Sequence, residues 1–293
     1  MGRVNRAEAV EAFPGGKAAH VAMVAGALGA RPIWIGFVGG ALGEECLLGL
    51  RKLEIKAVPI SIEARTRANL EIVERSGRVT ELLEPGAQPT AKETRQMVRE
   101  CKFALHGNWP TAKLVISGSL PAGVRAGFYR PFIRAARAAG TEVYLDTSGD
   151  ALSAALTAHA DFVKPNQAEL ESLLHRKVRG TKQLVVALSE LIARGAKSAA
   201  ITLGVDGIVW IERENGPVWM AIPPKLSAIS TIGSGDATLA GFALASARGL
   251  RSEALLRFAT ACGSANCLAT HPAKISIIDV ESLVPEVRIR RIE

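Results

Sequence analysis

The sequence has little of what marks disulfide-rich or membrane proteins. It holds four cysteines in 293 residues (Cys46, Cys101, Cys262 and Cys267), with no CxxC pair and no histidine at metal-ligand spacing. Its longest uncharged stretch, 258–273, is shorter than the ~18 to 20 apolar residues that a membrane span needs. We therefore predict free, buried thiols in a reducing cytoplasm, and no membrane association.

Runs of basic residues are also missing. Lysine and arginine (36) outnumber aspartate and glutamate (28), giving a net charge of +8, but no basic run is longer than two and aromatic residues make up only 5%. This scatter argues against nucleic acid as a partner, whereas a diffuse positive field suits small anionic substrates. Glu8 and Glu11 precede the first apolar run, which predicts no signal peptide.

The pattern along the chain alternates between apolar strand-like runs and segments of helical period. The Thr90–His106 segment, for example, places Met97, Cys101, Ala104 and Leu105 on one helical face. The predicted strands are Pro32–Val38, Leu114–Ser117, Glu142–Leu145, Asp161–Val163 and Ala199–Leu203. Such alternation predicts an α/β protein with a mostly parallel sheet covered by helices on both sides.

One section breaks this alternation. Thr66–Glu74 and Arg78–Leu83 read as two strands joined at Ser76 and Gly77 with no helix between them. We expect a small β-sheet beside the main domain, joined by Val4–Phe13. Such a sheet can close over a site and exclude water.

The sharpest local signal is Gly233-Ser234-Gly235-Asp236, which follows Ile229 and opens an apolar helix. Glycines permit a tight turn, and the free amides of a helix start form an anion site. Asp236 is then placed to take a proton from a hydroxyl beside that anion. When the motif is taken alone, an ordinary helix N-cap is the favoured explanation of the aspartate. Neither GxxxxGKS/T nor a complete GxGxxG occurs here.

Gly233-Ser234-Gly235-Asp236 resembles the GAGD signature of the PfkB-type carbohydrate kinases of the ribokinase superfamily. Other segments resemble this family in the expected order: Gly15-Gly16-Lys17, Thr66-Arg67-Ala68-Asn69-Leu70, Ser117-Gly118-Ser119-Leu120-Pro121, Asp146-Thr147-Ser148-Gly149, Lys164-Pro165-Asn166-Gln167-Ala168-Glu169 and Thr202-Leu203-Gly204-Val205-Asp206-Gly207. Together these segments resemble the branch of the family that holds phosphofructokinases, 1-phosphofructokinases and tagatose-6-phosphate kinases. The resemblance spans nearly the whole chain.

The resemblance implies a single ribokinase-like domain over residues 1–293, a three-layer α/β/α fold with a small β-sheet lid. The lid strands would come from about residues 4–13 and 56–84. The resemblance further implies ATP and Mg²⁺ as cofactors, a sugar or sugar phosphate as substrate, a cytoplasmic location, and a homodimer formed through the lid.

The resemblance also implies roles for individual residues. Asp236 would be the general base, and the amides of Gly233, Ser234 and Gly235 would bind the developing negative charge. The predicted nucleotide contacts are Lys164, Asn166, Thr202, Gly204, Gly207 and Asn266. Asn166 and Glu169 would hold magnesium, most readily through water. The predicted acceptor contacts are Gly15, Gly16, Lys17, His20, Arg67, Asn69 and Ser119.

Three features depart from the family pattern. His20 stands where a sugar-binding asparagine is usual, which suits either a hydroxyl contact or a different acceptor. Leu83 stands where 1-phosphofructokinases often carry asparagine. The usual first strand, with its substrate-binding aspartate, is not found, so we expect a gap beside Ile33–Val38 or Leu114–Ser117.

Two classes of function follow. The first is an ATP-dependent kinase of a hexose phosphate, with an unphosphorylated sugar or a nucleoside as the alternative acceptor. The second is a sugar-phosphate-binding protein with weakened turnover. The intact motifs at Asp236 and Glu169 favour the kinase, whereas His20 and the missing strand favour the binding protein.

Overall fold

The computed structural model describes residues 6–74, 78–106, 113–121 and 123–292. Within these ranges the strands are β1 (Ile33–Val38), β2 (Lys56–Ser61), β3 (Asn69–Val73), β4 (Val79–Leu83), β5 (Lys113–Ser117), β6 (Glu142–Asp146), β7 (Phe162–Val163), β8 (Ser198–Thr202), β9 (Ile208–Ile211), β10 (Val218–Ile222) and β11 (Arg288–Ile292). The helices are α1 (Lys17–Ala27), α2 (Gly40–Lys52), α3 (Ala91–Leu105), α4 (Arg130–Ala138), α5 (Gly149–Leu156), α6 (Gln167–Leu174), α7 (Gly180–Ala193), α8 (Ser234–Ala247), α9 (Ser252–Cys267) and α10 (Ile277–Leu283). Short 3₁₀ turns span Ala126–Tyr129, Gly204–Asp206 and Val284–Glu286.

The main sheet has seven strands in the order β11-β10-β9-β8-β7-β6-β5. Strands β5 to β8 are parallel, whereas β9, β10 and β11 pair antiparallel and extend one side of the sheet. The carboxyl ends of β5 to β8 therefore lie along one edge, where open α/β sheets bind their ligands.

Both faces of the sheet are buried, each in its own hydrophobic core. Successive residues of a strand contribute to different cores, because their side chains point to opposite faces. On β6, Tyr144 packs with Phe162 and Phe242 in a core that includes α1, α8 and α9. Val143 and Leu145 belong to a second core, formed with α4 to α7. The predicted three-layer α/β/α fold is confirmed.

Strand β1 pairs in parallel with β2, apart from the seven-stranded sheet. Helix α1 packs against both β1 and β5. Among the residues that the structure describes, β1 pairs only with β2 and β5 pairs only with β6. The parallel strands are therefore interrupted between β1 and β5. This interruption lies where a gap was expected beside Ile33–Val38 or Leu114–Ser117.

The lid sheet consists of β3 and β4, paired antiparallel with Leu70 opposite Leu82 and Glu71 opposite Glu81. Since side chains alternate along a strand, Leu70, Ile72 and Leu82 share one face, and the two glutamates share the other. The three apolar side chains are exposed. The lid therefore has one largely apolar face, and a second face on which the two glutamates lie among Val73, Val79 and Leu83.

Three expectations about the lid need correction. Of the segment Val4–Phe13, residues 4 and 5 lie outside the described residues, and residues 6–13 form no strand. Alanine and glutamate, which are depleted in strands, dominate this segment, and Val10 is 88% exposed. Strand β2 pairs with β1 and is not part of the lid. The lid strands therefore lie within 69–83 and do not extend over the whole predicted range 56–84. Strand β3 begins at Asn69, so Arg67 precedes it, and the predicted turn at Ser76 and Gly77 lies outside the described residues.

The predicted helix at Thr90–His106 and the five predicted strands agree with the structure, whereas two of the four thiols expected to be buried, Cys46 and Cys267, are only half-buried. Helix α3 is capped by Thr90, whose side chain accepts from the Glu93 amide while the Glu93 carboxylate accepts from the Thr90 amide. This capping box fixes the helix start where the sequence predicts it. The five predicted strands correspond to β1, β5, β6, β7 and β8 within one or two residues.

Candidate active site

The start of α8 is shaped by glycine. Gly233 caps the helix with a φ of 79°, and a Cβ there would lie 2.9 Å from Cβ of Pro272. Only glycine satisfies both conditions. The Ser234 amide and hydroxyl both donate to the Thr231 carbonyl, at 3.2 and 2.8 Å. Ser234 therefore closes the turn, which is a correction to its expected role, and the Gly235 and Asp236 amides are left to meet an anion at this helix N-terminus.

Asp236 lies in the first turn of α8 and is buried. Its Oδ2 is 3.0 Å from Nδ1 of His20 on α1, and its Oδ1 is 3.4 Å from the Ser117 hydroxyl at the end of β5. The carboxylate is thus enclosed by two other elements of the fold. An N-cap would need to bond only its own helix, so the contacts favour a site residue.

Two lysines face the same region from opposite sides. Nζ of Lys164 lies 2.8 Å from Oδ2 of Asp146, and a Cβ on Gly235 would stand 3.5 Å from that Nζ. The ammonium group is therefore next to the α8 N-terminus. Both the lysine and the helix end attract negative charge, so their arrangement is suited to an anion.

Lys17, the first residue of α1, lies 3.7 Å from carboxylate oxygens of both Asp146 and Glu169. Burial lowers the pKa of Lys17, but the carboxylates of Asp146, Glu169 and Asp236 outweigh burial and raise the pKa above its usual value. Lys17 therefore stays charged at neutral pH. Its ammonium group lies between the carboxylates of Asp146 and Glu169.

The predicted nucleotide residues converge after β7 and β8. Lys164 follows β7, and Asn166 forms a parallel bridge with Thr202, whose amide donates to the Pro165 carbonyl at 3.2 Å. In the turn after β8, Gly207 has a φ of 101°, and a Cβ would lie 1.9 Å from the Ala221 carbonyl oxygen. The Leu203 amide donates to the Gly207 carbonyl and closes this turn, which leaves Gly204 exposed at its tip.

Asn166 and Glu169 form a capping box at the start of α6. The Asn166 side chain accepts from the Glu169 amide at 2.8 Å, and Glu169 Oε2 accepts from the Asn166 amide at 2.9 Å. Glu169 Oε1 points instead toward Lys17. In the described part of the chain, no three acidic, histidine or cysteine side chains meet as a metal site. The residues fit a magnesium ion held mainly by phosphate oxygens and water, with Glu169 Oε1 as the protein group nearby.

The Asn266 side chain connects the loops that flank the start of α8. Its side chain, 1% exposed, donates to the Ile232 carbonyl at 2.7 Å and accepts from the Ala273 amide at 2.8 Å. It therefore ties α9 to the loop before α8 and to the loop carrying Pro272. These contacts give Asn266 a structural role next to Gly233.

The predicted acceptor residues lie on two sides of the site. Gly15 and Gly16 are exposed, and an added Cβ at either would meet open space. Ser119 is exposed after β5. Arg67 and Asn69 are exposed at the start of the lid, where Nη1 of Arg67 donates to the Glu84 carbonyl at 3.4 Å.

One lid residue, Glu71, interacts electrostatically with two histidines outside the lid. Burial, and then the Glu81 carboxylate opposite, raise the pKa of Glu71. The side chains of His20 and His271 lower that pKa, which places both histidines within electrostatic reach of Glu71. His271 in turn stacks on Phe13, with ring centroids 4.6 Å apart. The Glu71 side of the lid is therefore the side nearer His20.

Sequence reasoning gave no role to two residues that the structure brings into the site. Asp146 is the last residue of β6 and joins both lysines, and Ser117 is the last residue of β5 and donates to Asp236. The available signal was a polar residue ending an apolar parallel strand, because such ends meet at one edge of the sheet.

Comparison with known proteins identifies the family of this chain. A family model described as pfkB family carbohydrate kinase matches residues 1–277, and the chain belongs to this family. The ATP-dependent 6-phosphofructokinase isozyme 2 of Escherichia coli K12 is 34% identical over 258 residues, which cover 87% of this chain and 82% of the relative. The 1-phosphofructokinase of Haemophilus influenzae is 31% identical and covers 100% of this chain and 92% of its own length.

Solved structures show the same fold. E. coli phosphofructokinase-2 in complex with fructose-6-phosphate is 32% identical, has a TM-score of 0.84, and covers 94% of this chain and 88% of its own. The chain is a carbohydrate kinase with a ribokinase-like fold. Within the described residues, no helix is long and apolar enough to cross a membrane.

Proposed function

We propose that the chain transfers a phosphoryl group from ATP to a hydroxyl of a hexose phosphate, with Asp236 as the general base. The observation that carries this proposal is the buried Asp236 carboxylate at the N-terminus of α8, beside Lys164. A base next to an anion site is what phosphoryl transfer to an alcohol requires. The names of the relatives support ATP as the donor and a fructose phosphate as the acceptor.

The residues divide the reaction as follows. Asp236 takes the proton of the acceptor hydroxyl as that oxygen forms its bond to the γ-phosphorus. The bond between this phosphorus and the bridging oxygen breaks, and ADP leaves. The Gly235 and Asp236 amides and the Lys164 ammonium stabilise the charge on the transferring group, which is the main catalytic term in this chemistry.

The nucleotide would lie along the edge formed by Lys164, Thr202 and the turn at Gly204. A magnesium ion, when bound, would neutralise phosphate charge there. Glu169 Oε1 is the protein oxygen that would face it through water, and Lys17 competes for the same carboxylate in this structure. Lys17 would then be released toward the acceptor.

A neutral sugar is the second candidate acceptor, because the lid presents Glu71 and Glu81 rather than basic groups to the site. Two carboxylates disfavour an acceptor phosphate at that position and favour hydroxyl groups. Arg67 is the residue that would offset them, since a guanidinium pairs well with phosphate.

We also propose that two copies pair through the apolar face of the lid. Leu70, Ile72 and Leu82 are exposed on a two-stranded sheet, and an isolated pair of strands needs further packing for stability. A second copy of the same face supplies a self-complementary partner.

The decisive experiment is a kinase assay with ATP and magnesium. Fructose 6-phosphate, fructose 1-phosphate, tagatose 6-phosphate, free fructose and a nucleoside would be compared by ADP release and by product phosphate, with Asp236→Asn as the control. We expect a hexose phosphate to give the highest kcat/KM. Higher kcat/KM for free fructose would favour the neutral-sugar candidate. No transfer to any acceptor, with ATP still bound, would favour a sugar-phosphate-binding protein.

A further inference from the structure

His20 and Asp236 are the closest polar pair in the site that joins two helices. Nδ1 of His20 and Oδ2 of Asp236 are 3.0 Å apart, with side chains only 10% and 6% exposed. A carboxylate oxygen can only accept, so a ring nitrogen at this distance has to carry the proton. The pairing therefore fixes the imidazole with its hydrogen on Nδ1.

This hydrogen bond decides which carboxylate oxygen is left for the substrate. Rotation of an aspartate carboxyl group is loosely restricted, because this torsion has a broad twofold profile. With Oδ2 held by His20, the plane of the carboxyl group is set and Oδ1 is the oxygen left to take a proton. The Ser117 hydroxyl, at 3.4 Å from Oδ1, is a weaker contact on that side.

We infer that His20 is a positioning residue for the general base, an inference that rests on the proposed role of Asp236. His20 holds Oδ2 so that Oδ1 is left to face the acceptor hydroxyl. It does so by hydrogen bonding across the α1–α8 contact, and it takes no proton itself.

The second ring nitrogen limits what can lie beside it. Nε2 of His20 is fully buried and has no hydrogen-bond partner among the described residues. In the tautomer with its hydrogen on Nδ1 alone, Nε2 can only accept. A group of the acceptor that reaches Nε2 must therefore be a hydroxyl rather than a phosphate oxygen.

Two substitutions separate positioning from direct substrate contact. The amide of asparagine reaches the place of Nδ1, and that of glutamine reaches the place of Nε2. We expect His20→Gln and His20→Ala to lower kcat roughly 10- to 100-fold, because a misplaced base loses much of its contribution, with the KM for ATP nearly unchanged. His20→Asn should restore kcat to within about fivefold of the wild-type value, since it again offers a donor to Oδ2.

The opposite pattern would overturn the inference. If His20→Gln keeps kcat while the acceptor KM rises in all three variants, His20 contacts the sugar and does not position the base. His106→Gln is the matched control, because His106 is exposed at the end of α3, and it should change neither constant.

A measurement without turnover tests the pairing itself. In ¹⁵N–¹H correlation spectra of the five histidines, His20 should be protonated at Nδ1 and should shift in Asp236→Asn, whereas an Nε2–H tautomer would contradict the pairing. If the wild-type protein transfers no phosphoryl group, the proposed function fails and the positioning role falls with it. If it is active and His20→Ala keeps full kcat, only the inference fails.

Discussion

Lys164 and Asp146 form a buried ion pair at the centre of the site, with Nζ and Oδ2 2.8 Å apart and each side chain 3% exposed. Lys17 approaches the other oxygen of the same carboxylate. The pair fixes the Lys164 ammonium beside Gly235, where an anion meets the start of α8. Stability and function therefore depend on the same contact.

Removing one partner of this ion pair should be costly. Asp146→Asn leaves the Lys164 charge buried and uncompensated, and we expect the free energy of unfolding to fall by about 3–5 kcal/mol. The double variant Asp146→Asn, Lys164→Gln should recover part of this loss. Glu100→Gln, which removes an exposed ion pair with Arg99, is the control for urea unfolding. A loss for Asp146→Asn no larger than that of the control would contradict the importance of the pair.

Asp236→Asn should abolish most turnover and leave the fold intact. Without a base for the acceptor hydroxyl, kcat should fall at least ~100-fold, while ATP affinity measured by calorimetry stays close to that of the wild type. Asp150→Asn changes an exposed carboxylate at the start of α5 and should have no effect on kcat. Near-native kcat in Asp236→Asn would reduce Asp236 to a helix-stabilising residue.

Arg67→Ala should affect the acceptor more than the nucleotide. Hydrogen bonds to charged groups contribute about 1.5–3 kcal/mol, so the KM for a hexose phosphate should rise at least ~10-fold. The KM for ATP should stay within twofold, and Arg99→Ala on the outside of α3 should change neither. An equal KM for hexose phosphate before and after the change would place the phosphate elsewhere or favour a neutral acceptor.

The lid should hold two copies together. We expect the 30.9 kDa chain to sediment as a dimer at micromolar concentration, and Leu70→Lys to give a monomer because charges would then meet across an apolar contact. Val73→Lys is the control, since Val73 is exposed on the same strand but on the opposite face. A wild-type monomer would exclude the dimer.

The four thiols should differ in reactivity. Burial raises the pKa of Cys101 to about 11 and that of Cys262 to about 12, whereas Cys46 and Cys267 are only half-buried. A thiol-specific reagent at pH 8 should label Cys46 and Cys267 first and reach the other two after unfolding. Because the folded-state pKa values are raised, the thiols ionise first in the unfolded chain, and the free energy of unfolding should decline as the pH rises above ~9. Equal labelling rates for all four would show that the core opens readily.

Local patterns in the sequence predicted most of the fold. The helix start at Thr90 depends on Glu93, and that at Asn166 depends on Glu169, three residues further along in each case. Such contacts form within one helical turn, so the spacing alone indicates them. The apolar runs of β5 to β8 are equally local signals. The sequence did not predict that Asn166 and Glu169 hydrogen-bond to each other, because a capping box and a pair of metal ligands have the same spacing.

Only the tertiary structure decided the contacts between distant residues. His20 and Asp236 are 216 residues apart and meet because α1 packs on α8. The family resemblance implies that Asn266 contacts the nucleotide, but the packing of α9 buries its side chain against two loops. Residues 6–13 form no strand, so they do not join the lid sheet, which is built from β3 and β4 alone. Pairing of this kind depends on how whole elements pack, which no spacing along the chain encodes.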